Sequence, residues 1–135
     1  MKKTDHHVIP CSLDGLNIEF NILRVTQKEH ELIHKTLCMP YWRIRKFRFA
    51  NALCFRKDAK YYERLKNILN IYFERIGKLP IDLVVKQKKA ICELIMLLNN
   101  KTYGYSVNSN MTMSNLIDAY CDVLLQISLS RENLI

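Results

Sequence analysis

Apolar residues near the amino terminus come in short, interrupted groups. Val8 and Ile9 sit in the run from Thr4 to Pro10, which predicts a short strand. Ser12-Leu13-Asp14-Gly15 follows as a turn, Asp-Gly being a strong short-range hairpin signal. In NIEFNILRV, the residues Ile18, Phe20 and Ile22, with Leu23 and Val25, predict a second strand. Thr26-Gln27-Lys28-Glu29 has the Thr-x-x-Glu pattern, in which hydroxyl and carboxylate each satisfy an otherwise unpaired backbone N–H at a helix start. The helix it opens carries His30, Leu32, Ile33, His34 and Leu37, and it stops before Pro40.

Beyond Pro40 the spacing is helical. A short element runs from Trp42 to Ala52. A longer one, Asp58 to Ile76, sets Tyr61, Tyr62, Leu65, Ile68, Leu69, Tyr72 and Ile76 on one face, with Gly77 as its stop. Pro80 starts another helix, which carries Val84, Ile91, Leu94, Ile95 and Leu98 to Asn99-Asn100. The stretch KTYGYSVNSN reads as a loop. A last helix from Ser114 to Leu129 buries Leu116, Ile117, Tyr120, Val123, Leu124 and Ile127. These apolar helices pack a core. The last one is nearly uncharged, and its line of Leu116, Tyr120 and Leu124 is the candidate surface for a homodimer.

Composition narrows the class. At 135 residues, 49% apolar and 25% charged, the chain can bury a modest core without a disulfide or a metal. No apolar run approaches the roughly 18 residues that would read as a membrane span, and no apolar stretch follows the lysines of MKKTDHH to make an export signal. A cytoplasmic protein with no membrane partner is expected. The five cysteines Cys11, Cys38, Cys54, Cys92 and Cys121 are odd in number, widely spaced and include no C-x-x-C pair, which argues against a cysteine-ligated zinc ribbon and a disulfide framework. Buried or half-buried thiols are expected instead.

Charge adds a partner. The net charge is +8, and it is concentrated between Tyr41 and Lys66, where nine basic residues face only Asp58 and Glu63. Such asymmetry marks a surface that meets a polyanion. In MPYWRIRKFRF the residues Arg43, Arg45, Lys46 and Arg48 alternate with Tyr41, Trp42, Phe47 and Phe49. Arginines and lysines there can contact phosphates while the aromatics pack beneath them or stack on exposed bases.

The four histidines fall into two pairs. His30 and His34 are one helical turn apart, so both leave the same face and can share one metal ion. A site of this kind usually takes a third protein ligand and keeps a position open for water. The only other imidazoles are His6 and His7. Neighbouring strand residues point to opposite faces, so one of these two can reach the ion while the other acts as a free base.

With these residues in order, HHVIPCSLDGLNIEFNILRVTQKEHELIH resembles the HNH, or ββα-metal (His-Me finger), nuclease motif. That motif reads HH-x-x-P, a turn with glycine, an asparagine before a short apolar strand, and H-x-x-x-H on a helix. Here the positions are His6, His7, Pro10, Gly15, Asn21, His30 and His34, with thirteen residues between His7 and Asn21 and eight between Asn21 and His30. The turn carries Cys11 and Leu16 where many members have a basic residue or a second glycine, and the cysteine pairs that brace some members are absent.

The resemblance implies an α+β, mostly α chain in one compact domain. A ββα-metal finger would occupy residues 1–39, and a bundle of three to four helices would pack on it over 40–135. It implies His6, His30 and His34 as ligands to one divalent ion (Mg²⁺, Mn²⁺, Ni²⁺ or Zn²⁺), His7 as general base, and Asn21 as the residue that holds the loop and aims His7. The implied activity is hydrolysis of DNA phosphodiester bonds, and a phage-borne or mobile-element nuclease suits the size. Two other readings stay open. One is a non-catalytic binding protein on the same fold, such as a phage-type inhibitor of a host nuclease or defence complex. The other is a toxin acting on RNA.

Overall fold

The computed structural model describes residues 2–52, 58–99 and 107–133, with backbone alone for 49–52 and 131–133. The chain is α+β and mostly α. Strand β1 (Lys3–His7) pairs antiparallel with β2 (Ile22–Thr26), Lys3 opposite Thr26 and His7 opposite Ile22, and helix α1 (Gln27–Thr36) follows directly. Helices α2 (Tyr41–Ala52), α3 (Ala59–Tyr72), α4 (Ile81–Asn99) and α5 (Met113–Asn133) complete it.

The helix starts follow from short polar signals. Thr26 Oγ1 accepts from the Glu29 N–H at 3.2 Å, and the Thr26 N–H donates back to Glu29 Oε1 at 2.9 Å. Asp58 accepts from the Tyr61 N–H at 3.0 Å and so opens α3. Thr112 does the same for the Asn115 N–H at the start of α5.

One core runs through the molecule. Val8, Ile9, Leu13, Val25, Ile33 and Leu37 from the first part join Leu65, Leu69, Leu83, Ile91, Leu94, Leu116 and Tyr120 from the helices. Helix α5 packs on α3 and α4, and α4 also reaches β2 and the turn before it. Among the described residues no helix is long and apolar enough to cross a membrane.

Several expected boundaries shift, each for a packing reason. Strand β1 ends at His7, because Val8 and Ile9 leave the ladder and turn fully inward. Strand β2 begins only at Ile22; Glu19–Asn21 forms a 3₁₀ turn closed by Asn21 N–H to Ile18 O at 3.0 Å, which leaves Phe20 44% exposed. The strands are therefore joined by a long ordered loop rather than a tight hairpin. Asp14 caps a 3₁₀ turn at Cys11–Leu13 in the left-handed region, at φ 65°, and accepts a hydrogen bond from the Tyr61 hydroxyl of α3. Helix α3 stops at Tyr72, short of Gly77, because the chain bends to bury Phe73, Ile76 and Leu79. Helix α5 is longer than expected at its carboxyl end. Leu116 and Tyr120, expected in line with Leu124 as a dimer surface, are fully buried in this chain's own core.

Cys92 and Cys121 are buried, and burial pushes the Cys121 thiol up to about 12. Cys11 and Cys38, expected to be at least half-buried, are exposed. Cys54, Arg56, Lys57 and most of the KTYGYSVNSN loop lie outside the described residues, as does the side chain of Phe49.

Candidate metal centre

Alternation along β1 separates the adjacent histidines. The side chain of His6 points inward and is 1% exposed, whereas His7 is half-buried on the other face. Helix α1 presents His30 and His34 from consecutive turns toward His6. The ring centroids of His6 lie 5.3 Å from His30 and 5.5 Å from His34, and those of His30 and His34 are 4.5 Å apart. One nitrogen from each ring falls within 4.8 Å of the other two, so the three histidines are close enough to hold a metal ion. It is the one such cluster of three or more donors among the described residues.

The residues present fit an ion. The His30 and His34 Nε2 atoms are 2.8 Å apart. Tetrahedral bonds of about 2.0–2.1 Å would set two such nitrogens roughly 3.3 Å apart, a change that small side-chain rotations provide. His6 Nδ1 is buried and has no hydrogen-bond partner. A metal needs neutral imidazoles. Burial lowers the His6 pKa to about 4, with the neighbouring histidines acting in the same direction and Gln87 opposing it. Burial, and then His30, also holds His34 below its ordinary value.

These shifts make the metal-free protein acid-sensitive. His6 titrates near 6.5 when unfolded and near 4 when folded, so the unfolded chain takes up the proton first as pH falls. The His6 contribution is fully present above about pH 6.5 and is lost as pH drops toward 4. At about 1.4 kcal/mol per unit the loss approaches 3 kcal/mol. Chelator-treated protein is therefore expected to show a urea midpoint that falls from pH 7 to pH 4. A midpoint flat over that range would contradict the buried, neutral state of His6.

Asn21 ties down the loop that follows His7. It is 1% exposed, and its Oδ1 accepts from the Ile9 N–H at 2.8 Å. Its Nδ2 donates to Ile9 O at 2.9 Å and to Leu16 O at 2.8 Å, while its backbone carbonyl accepts from the Val8 N–H at 2.9 Å. Gly15 lets the loop close so tightly: a Cβ there would lie 1.8 Å from the Ile9 carbonyl oxygen.

His7 stands outside the three-histidine cluster. Its Nε2 lies 2.9 Å from Asn17 Oδ1.

The basic residues expected to meet nucleic acid lie on α2. Arg45, Lys46 and Arg48 are exposed, and Arg43 is half-buried with its guanidinium 5.2 Å from the Trp42 ring centre. Tyr41 and Trp42 are 73% and 59% exposed, while Phe47 is half-buried against the core. The link between α2 and the histidines is a cavity of about 310 Å³ whose lining includes His34, Leu37, Met39, Ile44 and Tyr72.

Two residues of this neighbourhood escaped the sequence reading. Gln87 of α4, fully buried, places its Oε1 3.3 Å from His6 Nε2. A signal for it existed, since Gln87 interrupts the apolar stripe of Leu83, Ile91 and Leu94 at a core position. Asn17, in the loop, had no such signal. Compared with protein-family models, with curated proteins and with solved structures, the chain matches none.

Proposed function

We propose that the chain is a metal-dependent endonuclease of the HNH, or ββα-metal, type that hydrolyses DNA phosphodiester bonds. The observation that carries this reading is the convergence of His6, His30 and His34, with His7 the next residue after His6 in β1, in the strand–loop–strand–helix order of that motif. Asn21 supports it, because its hydrogen bonds tie down the loop between the strands as the motif's asparagine does.

In this reading His7 is the general base. A neutral imidazole accepts a proton from water near physiological pH, and the resulting hydroxide attacks phosphorus. A divalent ion on the three histidines supplies electrostatic stabilisation for charge building on the phosphate and the leaving 3′-oxygen. Three imidazoles favour Ni²⁺ and Zn²⁺ over Mn²⁺ and Mg²⁺. Arg43, Arg45, Lys46 and Arg48 of α2 contact the phosphate backbone, with exposed Tyr41 and Trp42 beside them for bases.

The test is plasmid cleavage with Mg²⁺, Mn²⁺, Ni²⁺ and Zn²⁺, with and without chelator, alongside a transfer-RNA substrate. Nicked or linear plasmid that requires the ion is expected. No cleavage of plasmid with any of the four ions overturns the proposal, and cleavage of RNA alone replaces it with a ribonuclease.

A further inference from the structure

We propose that Gln87 of α4 fixes the tautomer of His6, so that Nδ1 is the atom His6 offers to the ion. The inference rests on the metal-centre reading and adds to it a positioning residue from the helical part of the chain, 81 positions away.

The hydrogen bonds settle which end of the amide faces His6. Gln87 Nε2 donates to Leu83 O at 3.4 Å, one turn earlier on α4, and this leaves Oε1 toward the ring at 3.3 Å from His6 Nε2. The reverse orientation would set the amide oxygen against the Leu83 carbonyl, two acceptors face to face. Oε1 can only accept, so the proton sits on His6 Nε2. A neutral imidazole carries one such proton, and Nδ1 therefore keeps its lone pair.

That Nδ1 is fully buried and has no hydrogen-bond partner. Buried polar atoms are rarely left so. The rings nearest to His6 are those of His30 and His34, whose Nε2 atoms face each other. An ion among the three rings would satisfy Nδ1. Metal-bound histidines commonly donate their second ring N–H to an acceptor that sets orientation and basicity, and loss of that acceptor typically lowers metal affinity about 10- to 100-fold. Gln87 is fully buried within the packed face of α4, so its amide is held in place by the core.

The experiment uses the full chain and two variants. Gln87→Met keeps the length of the side chain and removes the acceptor; Gln87→Glu keeps an acceptor oxygen toward His6 and, as the neutral acid that burial favours, donates its O–H to Leu83 O in place of the amide. Nitrogen-15 spectra of the histidine rings in chelator-treated protein read the tautomer without metal. Zn²⁺ titration by calorimetry reads affinity. The wild-type chain is expected to show His6 protonated on Nε2 and to bind Zn²⁺. Gln87→Met is expected to lose the tautomer preference and about 10- to 100-fold in affinity, and Gln87→Glu to retain both. A wild-type His6 protonated on Nδ1 overturns the proposal, as does a Gln87→Met chain that keeps tautomer and affinity. A wild-type chain that binds no Zn²⁺ overturns the metal centre itself, and the metal-free spectra distinguish that failure from the first. Should Gln87→Met not fold, the wild type and Gln87→Glu still decide the matter, because Nε2–H is required in both.

Discussion

Replacing His7 by alanine is expected to reduce plasmid cleavage by a factor of about 10² to 10⁴, the usual contribution of a positioned general base, while leaving metal binding intact. The split follows from the geometry. His6 and His7 are neighbours in sequence, but strand alternation buries one among His30 and His34 and leaves the other half-exposed beside Asn17. Removing the His7 ring thus takes away a base and no ligand. His7→Ala and His34→Ala should both lose cleavage for different reasons, and a Zn²⁺ titration tells them apart. If His7→Ala cleaves as well as the wild type under every ion, His7 is not the base. If the wild type also cleaves nothing, a binding role on this fold becomes the better account.

Asn21→Ala is expected to be the most destabilising single change in the amino-terminal part of the chain. The amide makes three hydrogen bonds, to Ile9 N–H, Ile9 O and Leu16 O, from a site that is 1% exposed. Alanine leaves those backbone groups unpaired, and each buried unpaired group costs about 1–3 kcal/mol. Water reaching part of the loop would reduce the sum, so a loss of about 3–5 kcal/mol is expected. Domains of this size have about 5–15 kcal/mol in all. Asn21→Asp should not rescue it: the carboxylate still accepts from Ile9 N–H but faces the Ile9 and Leu16 carbonyl oxygens. Urea unfolding of the two variants measures the effect. A loss below about 0.5 kcal/mol for Asn21→Ala, the range of ordinary surface changes, would mean that the loop does not depend on this amide.

What the sequence revealed was local. The Thr26–Glu29 cap, the four-residue spacing of His30 and His34, and the alternation of His6 and His7 each act over a turn or a strand, and each holds in the structure. Phe20 misled because alternation predicts a strand, whereas Asn21 pulls the chain into a 3₁₀ turn by bonding across the loop to Ile9. Gln87 lies 81 residues from its partner, and no periodicity within α4 says what a buried glutamine will face. The Tyr61–Asp14 hydrogen bond that ties α3 to the loop is hidden for the same reason. Leu116 and Tyr120 were hard to place for another reason: they are apolar and in line, but that pattern describes an internal face as well as an external one.

His6, His30 and His34 are expected to hold a single divalent ion between them. Calorimetric titration of chelator-treated chain with Zn²⁺, and with Ni²⁺, Mn²⁺ and Mg²⁺ in parallel, measures it directly. The prediction is one ion per chain, with binding lost in His30→Ala and in His34→Ala while both remain folded by circular dichroism. A folded wild-type chain that binds none of the four ions, or one whose binding survives both substitutions, would contradict it.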